Sequence, residues 1–198
     1  MLILFTSEEN SSAEKEQLIH FLENGLPLLH VRKPGITKAE KKTWLSQFEE
    51  EHLQKMVLHQ HHQLTEFFPV KGIHLKEEYR NKMKELVHYI EKFQRKGLTV
   101  SSSFHAPGKL KKEASVFDYT FLSPVFTSVS KEGYKGKEFN VENLPHKVVA
   151  LGGIEADKIH TAKEMGYAGV AALGAVWFAE NRHKAFTEIF NNYRNVYK

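Results

Sequence analysis

Two stretches of this chain place a histidine at period-two spacing from a group suited to binding or to hydroxyl chemistry. In His30-Val31-Arg32 the imidazole and the guanidinium fall on one side of an extended segment. Arg32 can fork onto a phosphate or carboxylate beside His30, or it can form a structural salt bridge with an acidic residue. In Ser101-Ser102-Ser103-Phe104-His105 the same alternation puts Ser103 and His105 on a shared face. A histidine is the side chain best suited to moving a proton near pH 7, and the plainer reading is a solvated loop histidine.

A second set of residues is suited to holding anions. Leu151-Gly152-Gly153-Ile154 and Leu173-Gly174-Ala175 each put glycine after an apolar run. Bare backbone there can approach a phosphate closely, and a following helix adds its positive end; tight turns explain the same glycines without a ligand. After Tyr119 to Leu122 the chain offers Thr127, Ser128, Ser130 and Lys131, more chemistry than a connector needs. The run His59-Gln60-His61-His62 suggests a metal site, but adjacent histidines on a strand end point to opposite sides. His74 is a further candidate, with a satisfied core histidine as its plain alternative.

These residues require elements to position them. Short apolar runs alternate with amphipathic helical stretches, which predicts βα units and a mainly parallel sheet. Strands are expected at 1–5, 26–31, 56–58, 72–75, 98–101, 118–122, 148–151 and 169–173. Helices are expected after Ser11-Ser12, after Thr37 with Glu40 in a capping-box pattern, over about 80–95, about 155–164 and about 182–193. Eight strands predict a small (β/α)8 TIM barrel, class α/β, with an open doubly wound sheet as the alternative that periodicity leaves standing. In a barrel, the polar residues past each strand share one face, where the chemistry of such folds is found.

Composition sets the bounds. At 198 residues with no visible linker, one domain over 1–198 is expected, two small domains being the alternative. Without cysteine the chain has no disulfides, thiolate metal sites or cysteine nucleophiles, and a reducing cytoplasm suits it. The N-terminal apolar stretch, Leu2 to Phe5, is too short for a signal peptide or a membrane span, so a cytoplasmic protein without membrane partners is expected. Net charge is +4, from 28 Lys+Arg against 24 Asp+Glu. That favours a small anionic ligand over nucleic acid, because the basic patch Lys109, Lys111 and Lys112 has no interleaved aromatics and no binding motif.

The assembled segments resemble the thiamine phosphate synthase/TenI family over nearly the whole chain. They are HVR at 30–32, GIHL at 72–75, SSSFH at 101–105, DYTFLSPVFTSVSK at 118–131, ALGGI at 150–154 and GYAGVAALGAVW at 166–177. The resemblance implies a (β/α)8 barrel, a phosphorylated thiazole as ligand and a place in thiamin biosynthesis; a homo-oligomer is left open. The family holds two activities. The synthase joins hydroxymethylpyrimidine diphosphate to thiazole phosphate, with Mg2+ held by acidic residues, and typically shows Gln-x-Arg-x-Lys at strand two. Here the Gln position is His30 and the Lys position is Pro34, its Asn-Asp pair falls on His59-Gln60, and its loop acid falls on Tyr79 after Glu77 and Glu78. His59, Glu77 and Glu78 are then the candidate metal residues.

The TenI branch resembles this chain more closely, in His-x-Arg and in Ser-x-His after strand five. It implies a thiazole tautomerase that needs no metal or other cofactor. On that resemblance His105 carries the proton and His30 assists. Arg32, Ser103, Ser128 and Lys131 hold the substrate, and Gly152, Gly153, Leu173 and Gly174 hold its phosphate. A thiazole-phosphate-binding protein without catalysis is the third reading.

Overall fold

The computed structural model describes residues 1–9, 11–127, 136–137, 139–144 and 146–198. Eight parallel strands run β1 (Leu2–Phe5), β2 (Leu28–Val31), β3 (Met56–Leu58), β4 (Gly72–Leu75), β5 (Thr99–Phe104), β6 (Tyr119–Leu122), β7 (Val148–Leu151) and β8 (Gly169–Ala172). Each pairs with the next and β8 pairs with β1, closing a barrel. The closure decides against the open doubly wound sheet. Around it lie α1 (Ser12–Glu23), α2 (Lys38–Leu45), α3 (Glu50–Leu53), α4 (Glu77–Lys82), α5 (Leu86–Gln94), α6 (Pro107–Glu113), α7 (Ile159–Glu164), α8 (Gly174–Trp177) and α9 (Arg182–Val196). Among the described residues no helix is long and apolar enough to cross a membrane.

The expected elements form, with three instructive differences. β2 begins at Leu28 rather than Leu26, because Pro27 has no N–H to give to a ladder. The helix expected over 80–95 is two helices, broken where Met83 turns extended. The break lets Arg80, only 2% exposed, turn inward beside β5. β5 itself runs three residues past the expected Ser101, its buried serine hydroxyls finding partners on neighbouring elements: Ser102 Oγ donates to the Leu75 carbonyl at 2.7 Å and accepts from Arg80 at 2.6 Å. The capping box at α2 is present as expected, Thr37 and Glu40 each bonding the other's backbone N–H.

Alternation along each strand divides the core in two. Outward residues such as Leu4, Leu29, Leu58, Ile73 and Val100 pack under the helices, while Ile3, Phe5, Tyr119, Phe121, Val149 and Ala171 fill the barrel. The barrel interior is chemically lopsided. β6, β7, β8 and β1 give it aromatic and aliphatic side chains, whereas β2, β4 and β5 send in His30, His74 and Ser101, joined by His59 just past β3.

Candidate active site

At the carboxyl ends of the strands lies a cavity of about 870 Å3. Its walls are Phe5, Leu151 and Leu173 on the apolar side and Arg32, His59, His74, Ser103 and His105 on the other, with Glu77 at the rim. Mostly apolar walls with a few converging polar groups are what a small-molecule site requires.

His105 sits just past β5 with its side chain 53% exposed. Its Nδ1 lies 3.0 Å from the Ser123 carbonyl, which can only accept, and 3.2 Å from the Ser123 hydroxyl, which can accept or donate; a proton on Nδ1 satisfies both contacts, and that tautomer is assigned. In the neutral ring this leaves Nε2 as the basic nitrogen. Nε2 is 3.7 Å from Glu77 Oε2, a carboxylate placed to pair with the ring once it gains a proton. Glu77 is held in turn by Arg80 at 3.7 Å and Lys109 at 3.5 Å. Arg80 stacks over Phe104 at 3.8 Å and donates to the Ser103 carbonyl at 2.8 Å, fixing the strand end that carries Ser103 and His105.

His30 requires a correction. It is fully buried and absent from the cavity wall, although Phe5, its register partner on β1, lines that wall. Its Nδ1 is 2.9 Å from His59 Nε2 and its Nε2 is 2.7 Å from the Tyr119 hydroxyl, so it supports the site from beneath. His59 and His74 take the cavity-facing places. The His74 nitrogens meet Ser101 Oγ at 2.9 Å and Ser103 Oγ at 3.0 Å. Ser103 therefore lines the cavity as expected, but its hydroxyl is already tied to His74. Burial keeps this group of imidazoles neutral: His30 is lowered to about 3, and His59 and His74 lie well below the ordinary value, with their histidine neighbours adding to the effect.

Arg32 lines the cavity and is paired with Glu8, the structural salt bridge of its plainer reading. Gly152, Gly153, Leu173 and Gly174 all line the cavity. The first two also have a structural reason to be glycine: both have positive φ, and a Cβ on Gly153 would lie 2.6 Å from the Thr127 carbonyl oxygen. The β6 loop crosses directly over them, with Phe126 N–H donating to the Gly152 carbonyl at 3.0 Å. Ser128 and Lys131 lie outside the described residues.

The expected metal residues do not assemble a site for a hard cation. Mg2+ prefers several oxygen ligands in octahedral array. Here Glu77 is shared among Arg80, Lys109 and His105, Glu78 bonds Lys82 at the surface, and His59 brings nitrogen. Among the described residues the one convergent set of three donors is His30, His59 and His74, all imidazole. The histidine run itself separates: His61 Nε2 donates to the Ile36 carbonyl at 2.8 Å and His62 packs against Tyr89, so neither joins His59.

Tyr119 and Arg80 were not visible as site residues in the sequence. Tyr119 read as the first residue of an apolar strand and Arg80 as part of a charged helix face. The available signal was period two along β6 for Tyr119, and for Arg80 the serines that would need a donor.

A family model described as thiamine monophosphate synthase matches residues 2–176. The thiamine-phosphate synthase of Dictyoglomus turgidum is 24% identical over 209 residues, covering 98% of this chain and 92% of that protein. The crystal structure of thiamine phosphate pyrophosphorylase from Bacteroides thetaiotaomicron superposes with a TM-score of 0.76 at 25% identity, covering 96% of each chain. That from Pyrococcus furiosus gives 0.79 at 20% identity, over 100% of this chain and 96% of that one, a likeness of fold. With the barrel, its mouth and a family match over most of its length in agreement, the chain belongs to the thiamine monophosphate synthase family.

Proposed function

We propose that the chain binds a phosphorylated thiazole across the barrel mouth and shifts a proton on that ring without a metal. The observation that carries this reading is His105: its Nδ1–H is fixed by a backbone carbonyl, its Nε2 is left basic at the cavity, and a carboxylate waits beside it. A group held in that way can take a proton from one ring position and return it to another, which is the whole of a tautomerisation. Arg32 and the glycine turns after β7 and β8 supply the anion-holding side of the same cavity. His59 and His74, kept neutral, present polar nitrogens without adding positive charge.

A second reading, joining a pyrimidine diphosphate to a thiazole phosphate, is favoured by the relatives described above, which are named thiamine-phosphate synthase or thiamine phosphate pyrophosphorylase. On names alone it stands ahead of the proton shift. The donor set at the mouth weighs the other way, because no set of carboxylates for a hard cation converges among the described residues. One experiment separates them. Purified protein is given both substrates with Mg2+ while diphosphate is measured, and separately the thiazole carboxylate phosphate in EDTA while its ultraviolet absorbance is followed. The proposal expects an EDTA-tolerant absorbance change and no diphosphate. Mg2+-dependent diphosphate release without the absorbance change overturns it in favour of the synthase.

A further inference from the structure

We infer that His30, His59 and His74 form a binding site for a borderline divalent transition-metal ion of the Zn2+ or Co2+ type, with its fourth coordination position open to the cavity. The inference goes beyond the proton shift proposed above, which calls for no metal, and its test needs no substrate.

The three residues come from different strands, β2, the end of β3 and β4, and each offers one nitrogen within 4.8 Å of the others. A tetrahedral ion with Zn–N bonds of about 2.0–2.1 Å needs ligand nitrogens about 3.3 Å apart. The His30–His59 pair, at 2.9 Å, is already near that spacing; His74, stacked on His59 with ring centroids 4.1 Å apart, must swing inward modestly. Three imidazoles select borderline ions and disfavour Mg2+ and Ca2+, which seek oxygen.

The surroundings resemble those of a ligand shell. A ligating histidine needs its other nitrogen held, to fix the tautomer and orient the ring. His30 has the Tyr119 hydroxyl at 2.7 Å on Nε2, leaving Nδ1 for the ion. His74 has a serine hydroxyl at each nitrogen, so whichever one takes the ion, the other stays held. The proton that now bridges His30 and His59 moves to an outer nitrogen when the ion enters, and Tyr119 oxygen can accept it from His30.

Charge decides the fourth position. Among the described residues no carboxylate joins the three imidazoles, so an ion there keeps its full double charge in a buried place. An anion must offset it. His30 lies beneath, while His59 and His74 line the cavity wall, so the open side of the ion faces the space through which hydroxide or the anionic group of a ligand enters. Three histidines and one exchangeable ligand make an open site rather than a closed structural one.

The test is cobalt titration of protein first stripped with chelator. One Co2+ per chain should give the visible absorption of tetrahedral cobalt, be displaced by Zn2+ and be unaffected by excess Mg2+. The signal should vanish in His59→Gln and in His74→Gln, weaken roughly 10–100-fold in affinity in Tyr119→Phe, and persist in His20→Ala. The last variant removes the rival surface pair, His20 and His183, whose rings lie 4.2 Å apart. Should the buried variants fail to fold, nitrogen NMR of the wild type decides. Zn2+ must then shift three solvent-shielded imidazoles and leave His20 and His183 in place. No tetrahedral spectrum, a spectrum that survives both buried substitutions, or one lost with His20 overturns the inference.

Discussion

Acidification should destabilise this protein from its centre. His30 and His62 are buried neutral, lowered to about 3 and about 4 by burial, while in the unfolded chain they titrate near the ordinary 6.5. The unfolded state therefore binds more protons through the window between about 6.5 and the folded values, and stability falls as pH falls through it. From pH 7.5 to 5.5 each such histidine costs a little over 1 kcal/mol, by linkage at about 1.4 kcal/mol per pH unit below 6.5. The pair thus removes roughly 3 kcal/mol. His59 and His74 shift in the same direction and add to the loss, as does Lys41, lowered to about 7 by burial and by Lys76. Glu14 opposes it, since burial raises its carboxyl, an effect that the bond and charge of Lys33 reduce. For a chain of this size 1 kcal/mol moves Tm by about 2–4 °C, so the fall should be at least about 6 °C. Thermal melts of EDTA-treated protein at the two pH values and equal ionic strength measure it. His62→Gln should shrink the loss by about 1 kcal/mol. A fall under about 3 °C, or a rise, would refute the assignment of neutral buried histidines.

Other outcomes follow from single side chains. Arg80→Met keeps the stem over Phe104 but leaves Ser102 and the Ser103 carbonyl without their charged donor. Two charge-assisted bonds at about 1.5–3 kcal/mol each, offset by two guanidinium nitrogens that have no close hydrogen-bond partner, give a loss of about 2–4 kcal/mol in urea unfolding; no loss would mean that Arg80 does not fix β5. Gly153→Ala places a methyl 2.6 Å from one backbone carbonyl and 2.7 Å from another at φ +64°. The left-handed backbone alone costs about 1 kcal/mol, so a change in urea midpoint within error would show that the β6 loop does not need its present course. Glu77→Gln removes the partner of the imidazolium and should lower turnover while leaving ligand affinity within about 2-fold, since Glu77 faces His105 rather than the glycine turns; equal losses in both would place Glu77 in binding instead.

Much of this architecture was legible before the structure. The eight apolar runs are short, separated by helix-period segments, and each forms a strand, because alternation and turn residues are local signals. The mouth residues followed from the same logic, and Arg32, Ser103, His105 and the glycines do line one cavity. Depth along a strand is different. Period two tells which side His30 faces, whereas its level in the barrel depends on the stagger between β1 and β2, a long-range property. For the same reason the run at 59–62 showed that adjacent histidines would diverge but not that His59 meets His30 and His74 from other strands. The inward turn of Arg80 was hidden because a charged residue in a charged segment reads as solvated. Its partners, Ser102 and the Ser103 carbonyl, are supplied by a strand more than twenty residues away.

The most direct test of the proposed chemistry is a single-turnover measurement of thiazole tautomer conversion in EDTA, with wild-type protein and His105→Ala at saturating ligand. The proton-shift account predicts conversion by the wild type and a loss of about 10²–10⁴-fold in the variant, with ligand affinity nearly unchanged because His105 is a rim residue held by a carbonyl rather than part of the anion-holding turns. Equal rates in the two proteins, or no conversion by a folded wild type that binds the ligand, would contradict it.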